Sequence, residues 1–188
     1  MSAPDPSGAA LVAFLVGDAD AVSAEAREVL AGAGWVEPTR RGVRLTAPGR
    51  LAARAAASAA GAAAGPAPRT SIAAFEGLDR VLKGCVHAWQ CRSSSGVEVP
   101  NDHRDPVHDA QVQADLAAWL PDALAWFGRA AEWWPRFARY RGRLLAAHGR
   151  LVAGDRSALA GLASDSIHTL WWQAHGEMLA LLGRERAG

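Results

Sequence analysis

The chain has 188 residues, half of them hydrophobic, which suits one ordinary domain or two small ones. Its 20 Lys and Arg residues nearly balance 19 Asp and Glu residues, so the charge gives no support to a dedicated nucleic-acid-binding protein. Tryptophan is the outlier, because there are eight and seven of them follow residue 88. This excess predicts either a well-filled helical core or an aromatic-lined pocket for a flat ligand.

The two cysteines, Cys85 and Cys91, are six residues apart in the sequence. On one helix they would lie about 9 Å apart, too far for a disulfide, which indicates free thiols in a reducing compartment. The amino terminus lacks the charged start of a signal peptide, and no apolar run reaches transmembrane length. We therefore expect a cytoplasmic protein with no membrane partner.

The first third of the chain predicts helices around a short β-hairpin. Ala9–Val16 is a short apolar helix, and Ser23–Gly34 starts with a serine suited to cap a second helix. Alternating residues around the basic turn TRRG predict a hairpin within residues 35–46. Thr46 then caps a further helix that has Pro48 in its first turn.

This order of elements, with GWVEP, RRGVRLT and APGR, resembles the winged-helix domain of MarR-type bacterial regulators. A winged helix has three helices before the wing and the chain has room for two, so the resemblance implies a truncated domain. Its recognition helix would be Ser23–Gly34, whose two acids and one arginine fit a phosphate-lined groove poorly. Arg40, Arg41 and Arg44 on the wing still offer DNA contacts. A ligand-responsive, homodimeric DNA-binding regulator is therefore the alternative function.

Glycines and prolines mark a boundary after the Ala-rich stretch that follows the hairpin. Gly61 and Gly65 are expected to end the third helix. The prediction is a degenerate winged-helix unit over residues 1–65 and a helical bundle over residues 66–188. The fold class is mainly α, with two helices and a β-hairpin wing followed by an antiparallel bundle of four to five helices.

The bundle begins with a helix over Ile72–Arg92, in which Asp79 and Lys83 form an i,i+4 pair on the outside. The following SSSGVEVPNDHRD is expected to be a loop. Asp105 then caps a long helix that Pro121 is expected to kink or split.

The last helix is predicted over Asp165–Leu182. The i, i+3, i+4, i+7 spacing places His168, Trp171, Trp172 and His175 on one buried stripe. Histidines there need partners, because an unpaired buried polar group costs about 1–3 kcal/mol. This face therefore either belongs to a structural hydrogen-bond network or lines a site.

Three segments place polar residues beside aromatic ones: residues 89–92, 101–109 and 166–177. Over about residues 70–183 they resemble the helical region of actinobacterial phosphoenolpyruvate-utilising, pyruvate phosphate dikinase-like proteins, which carries WQxR, NDHxDxxYD and SYHTVWFELHEDL. The resemblance implies a shared fold and shared site residues rather than a known activity. His108 and Ile167 replace tyrosines of that pattern, and Gln173 and Gly176 each replace an acid, which implies an altered role.

These segments supply the candidate site, in which a histidine acts as general base while an aspartate fixes its tautomer. The candidate catalytic residues are Asp102, His103, His168 and His175. The candidate substrate-binding residues are Trp89, Gln90, Arg92, Asn101, His108, Asp109, Trp171 and Trp172. The alternative is a buried hydrogen-bond network that locks the loop to the last helix.

No metal or cofactor is predicted. His168 and His175 lie about 10.5 Å apart along a helix, whereas ligand pairs on one helix sit at i,i+3 or i,i+4. The predicted function is a small-molecule-binding enzyme of a biosynthetic pathway. It would isomerise, cyclise or eliminate from an aromatic or polyene substrate in a Trp-lined pocket.

Overall fold

The structure is a computed structural model that describes residues 6–40, 42–94, 96–161 and 165–184. Helices dominate, with two small antiparallel sheets of two strands each, which confirms the mainly α prediction. No helix within the described ranges is both long and apolar enough to cross a membrane. The elements are α1 (Pro6–Leu15), α2 (Ala24–Gly32), β1 (Val36–Thr39), β2 (Gly42–Leu45), α3 (Ala47–Ala63), α4 (Ala67–Gln90), β3 (Cys91–Ser94), β4 (Val97–Pro100), α5 (Pro106–Ala130), α6 (Ala138–Val152), α7 (Ser157–Ala160) and α8 (Ile167–Leu181).

Contacts divide the chain into two compact units. The first contains the residues up to Thr70 and those from Trp172 onward, and the second spans Ser71–Trp171. The sequence had assigned everything after residue 65 to one bundle. The difference lies in α8. The second half of this helix belongs to the first unit, because Gly61 of α3 lets α3 and α8 approach closely.

The core of the first unit forms around α1, which is apolar on every face. Leu11, Val12, Ala13 and Phe14 are buried in succession, as expected for a helix enclosed by its neighbours. Buried residues of α2, both strands and α3 join this core, namely Leu30, Val36, Leu45 and Ala53. The serine cap predicted for α2 is confirmed, since the Ser23 hydroxyl accepts a hydrogen bond from an amide in the first turn.

The predicted hairpin is also confirmed, with Val36 opposite Leu45 in an antiparallel pair. Arg41, which the sequence places on the wing, lies outside the described residues. Thr46 caps α3 as predicted, because its Oγ1 accepts a hydrogen bond from the Gly49 amide at 3.1 Å. The first unit therefore follows the predicted order of helix, helix, hairpin and helix.

The predicted end of α3 is confirmed at Gly65, which has a φ of 67° just after the helix, but not at Gly61, since the helix continues to Ala63. A Cβ at Gly61 would lie 1.8 Å from the carbonyl oxygen of Leu181 on α8. Gly61 therefore serves helix packing, because only a residue without a side chain permits this approach.

Aromatic side chains fill the core of the second unit. The cluster consists of Phe75, Trp119, Trp126, Phe127, Phe137, Tyr140 and Trp171. The indole N–H of Trp119 donates to the Leu78 carbonyl at 3.0 Å, so this buried polar group is satisfied. The tryptophan excess thus builds a core.

The α5 helix contains Pro121 but is not split by it.

Asp79 and Lys83 pair at 2.8 Å, which confirms the predicted ion pair. Its predicted outside position is wrong for Asp79, which is only 8% exposed. Asp79 is drawn inward because its Oδ1 accepts the indole N–H of Trp171 at 3.0 Å.

Candidate functional site

The site lies in the second unit, where the β3–β4 hairpin returns the chain to the end of α4. Cys91 pairs with Pro100, and the amide of Asn101 donates to the carbonyl of Gln90 at 2.8 Å. The prediction of a loop over residues 93–105 is wrong for residues 93, 94 and 97–100, which form strands, and the preceding helix ends at Gln90 rather than at Arg92. Ser95 at the turn lies outside the described residues. A Ser-Gly pair between CRSS and VEVP was the sequence signal for this hairpin.

The start of α5 supplies the acidic group of the site. Asp105 caps this helix as predicted, since its Oδ1 accepts from the amides of Val107 and His108 at 3.1 Å each. Asp109 follows one turn later and is buried. A carboxylate in the first turn is stabilised by the positive end of the helix dipole.

Asn101, His103 and Asp109 form a hydrogen-bonded cluster. Nδ1 of His103 lies 3.0 and 3.1 Å from the two carboxylate oxygens of Asp109. Nδ2 of Asn101 donates to Oδ1 of Asp109 at 2.9 Å and to the Trp89 carbonyl at 3.1 Å. The ring of Trp89 lies against that of His103, with centroids 4.5 Å apart. Four residues predicted for the site therefore meet in one place.

His103 has a left-handed backbone, with φ of 57°, which side-chain-bearing residues rarely adopt. Its amide donates to Oδ1 of Asn101 at 3.1 Å, and its carbonyl accepts from the Arg156 guanidinium at 3.2 Å. Such a conformation costs about 1–3 kcal/mol and persists where the surroundings impose it. Here the Asn101 and Arg156 contacts impose it.

The Asp109 carboxylate fixes the tautomer of His103. Burial alone would raise the pKa of Asp109, but the hydrogen bonds from Asn101 and His103, with the charges of His103 and Arg156, hold this pKa below its ordinary 3.8. An ionised Asp109 accepts only, so Nδ1 of His103 must carry a hydrogen. When the ring is neutral, its Nε2 holds the lone pair, and this atom makes no hydrogen bond to the described part of the chain. This arrangement can accept a proton from a bound molecule.

Three other residues predicted for the site, Asp102, His108 and Gln90, lie outside the hydrogen-bonded cluster of Asn101, His103 and Asp109. Asp102, predicted as catalytic, faces Arg92 and Arg104 with N–O distances of 3.8 Å, whereas Asp109 orients the histidine. Nε2 of His108 bonds to the carbonyl of Ala88 at 2.7 Å and so fastens α5 to α4. The side chain of Gln90 is exposed.

The predicted buried stripe of α8 is wrong by one position. Trp172 is 51% exposed, and His168 and His175 are half-buried. The buried face instead carries Ile167, Leu170, Trp171, Ala174, Met178 and Leu181. Trp171 stacks on Phe75 in the aromatic core. Trp172 and His175 belong to the first unit, and the functional roles assigned to them and to His168 remain predictions.

Sequence reasoning missed two polar residues that the structure brings into view. Arg156 reaches His103 from 53 positions away, so no local pattern could have identified it. Glu177 is fully buried on α8, although glutamate rarely occurs without exposure.

Comparisons with models of known protein families, with curated proteins and with solved structures found no match, so function is inferred from the residues of this chain.

Proposed function

We propose that the chain is an acid–base enzyme that binds a small molecule at His103 and moves a proton with Nε2 of this residue. The contact between His103 Nδ1 and Asp109 carries the proposal. A carboxylate behind a histidine sets the tautomer and stabilises the imidazolium that forms after proton transfer. The side chain of His103 is 20% exposed, so a ligand can reach it.

The backbone of His103 adds support. A network that served only to hold the loop would need a residue that tolerates positive φ, and Asn or Gly adopts this conformation at lower cost. A histidine in that conformation is better accounted for by a requirement for imidazole chemistry. The hydrogen bonds that the His103 backbone makes with Asn101 and Arg156 offset the energy cost of its left-handed conformation.

The charges near His103 favour a small anionic substrate. Arg92 and Arg104 approach Asp102 only to 3.8 Å, beyond hydrogen-bond distance, so both guanidinium groups can still donate to an anion, and Arg156 contacts the His103 backbone. The aromatic or polyene substrate expected from the sequence depended on a wall formed by Trp89, Trp171 and Trp172. Trp89 does lie against His103, but Trp171 stacks in the aromatic core and Trp172 is exposed, which does not favour a substrate of this kind. We propose isomerisation or elimination that starts when Nε2 removes a proton next to a carboxylate of the substrate.

We also propose that the first unit is a truncated winged helix with a structural role. The predicted recognition helix has one basic residue, Arg27, which donates to the carbonyls of Val22 and Ala19 at 3.1 and 2.8 Å. On the wing, Arg44 pairs with Glu37 at 2.7 Å. Both arginines are engaged within the unit, so neither favours DNA binding.

Carbethoxylation by diethyl pyrocarbonate, followed by peptide mass spectrometry, tests the dyad without a known substrate. The reagent attacks a ring nitrogen that carries a lone pair, and the Asp109 carboxylate fixes that lone pair on Nε2 of His103, so we expect His103 to react faster than the other five histidines. Asp109→Asn should slow the reaction of His103 alone, because the tautomer is no longer fixed. A His103 that reacts no faster than His148 would refute the proposal.

Turnover is tested by incubating a metabolite extract with the wild-type protein and with His103→Asn. Asparagine tolerates positive φ, so this variant keeps the backbone while removing the base. We expect at least one anionic compound to be consumed by the wild type alone. Equal profiles, with circular dichroism showing both proteins folded, would count against an enzyme.

A further inference from the structure

A second polar cluster lies on the β3–β4 hairpin, outside the His103–Asp109 dyad. It consists of His87, Cys91 and Glu98, whose donor atoms lie within 4.8 Å of one another. Nε2 of His87 lies 2.9 Å from Oε2 of Glu98. The side chains of His87 and Glu98 are both more than 60% exposed, and Cys91 is a partly buried free thiol.

The local structure explains why these three side chains meet. His87 lies in the last turn of α4, and Cys91 begins β3 directly after the helix ends at Gln90. On the hairpin, Cys91 pairs with Pro100 and Ser93 pairs with Glu98. Alternate residues of a strand share a face, so Cys91 and Glu98 lie on the same side of the hairpin.

We propose that His87, Cys91 and Glu98 bind a zinc ion. Imidazole nitrogen, thiolate sulfur and carboxylate oxygen are the donors that zinc takes in proteins. Zinc bonds of about 2.0–2.3 Å place tetrahedral donors about 3–4 Å apart, so small rotations of exposed side chains complete the site. The thiolate and imidazole select against calcium and magnesium, which bind oxygen.

Three protein ligands leave the fourth position of the zinc to water. The ion replaces the direct contact between His87 and Glu98 and ties the end of α4 to β4. Since β4 leads directly to Asn101, zinc steadies the hairpin that precedes the dyad. Binding deprotonates the Cys91 thiol, so affinity rises with pH.

Cobalt substitution tests the site through its colour. Protein stripped of metal and kept reduced is titrated with Co²⁺, and a thiolate-to-cobalt charge-transfer band is expected at one equivalent. Zn²⁺ should displace the cobalt and abolish the band. Cys91→Ser should remove the band, whereas Cys85→Ala, which changes the other, buried thiol, should retain it.

A second pair of variants keeps the test decisive if Cys91→Ser folds poorly. Glu98→Gln should weaken zinc binding at least about tenfold, since losing even a hydrogen bond to a ligand costs about 10–100-fold. Glu76→Gln, at an exposed acid of α4, should leave the affinity unchanged. Cobalt bound without a charge-transfer band, or equal zinc affinity in Glu98→Gln and the wild type, would overturn the proposal.

Discussion

Removing the charge of Asp109 should destabilise the protein far more than removing that of its neighbour Asp102. Asp109 accepts hydrogen bonds from Asn101 at 2.9 Å and from His103 at 3.0 Å. Bonds to a charged group contribute about 1.5–3 kcal/mol each and are not additive within a network, so we expect Asp109→Asn to lower the free energy of unfolding by about 2–4 kcal/mol. Asp102→Asn should cost less than about 0.5 kcal/mol, because this carboxylate is exposed and its arginines are 3.8 Å away.

The free energy of unfolding lost in Asp109→Asn should depend on pH, because the pKa of Asp109 is lowered in the folded protein. A carboxyl whose pKa is lower in the folded state contributes stability that is fully present above its unfolded value and is lost as the pH falls through the folded value. The unfolded value is near 3.8. The gap between wild type and Asp109→Asn should therefore be constant near neutral pH and shrink as the pH falls below about 3.8.

Urea denaturation followed by far-UV circular dichroism, at a series of pH values, measures both effects. Similar destabilisation by Asp102→Asn and Asp109→Asn would show that the buried network contributes no more than a surface charge. If the difference in the free energy of unfolding between wild type and Asp109→Asn stays constant in acid, the ionised form of Asp109 does not stabilise the fold. Either result would refute the reasoning that places an ionised Asp109 behind His103.

Two further predictions concern packing and the start of α8. Gly61→Ala should lower the free energy of unfolding by about 1–3 kcal/mol because its Cβ would meet the Leu181 backbone, while Gly84→Ala, in open space on α4, should raise it by about 0.5–1 kcal/mol. Thermal unfolding of both variants checks this, and equal shifts would contradict it. Asp165→Asn removes the two contacts with Arg143 at 2.6 and 2.8 Å; its cost should be about 1 kcal/mol or less, since Asp165 is half exposed. The Arg143 hydrogen bond lowers the pKa of Asp165 from 3.8, so the cost measured by urea denaturation should vanish in acid rather than persist.

Local signals in the sequence were sufficient for the starts of α2, α3 and α5, whereas α4 begins at Ala67 rather than at the predicted Ile72. Ser23, Thr46 and Asp105 were predicted as caps, and each accepts a hydrogen bond from an amide within three residues. Such contacts depend on a few neighbouring residues, so tertiary structure does not alter them. The Asn101–Asp109 cluster was predictable for the same reason, since its three polar members lie within nine residues.

The buried face of α8 was not predictable from periodicity alone. Trp171 fits both the predicted stripe and the observed one, so the residues beside it decide which face is buried. Ile167 and Ala174 are buried, whereas His168 and His175 lie at the edge. The partners that decide this come from distant parts of the chain. The predicted site on α8 depended on that choice, and so did the expected aromatic pocket.

The positions of the tryptophans have a spectroscopic consequence. All indoles except Trp35 and Trp172 belong to the second unit, and most are buried there. Intrinsic fluorescence during denaturation therefore reports mainly on the unit that holds His103, while far-UV circular dichroism reports on the helices of both. Coincident transitions would identify a single cooperative system, and separated ones would give the stability of each unit from one sample.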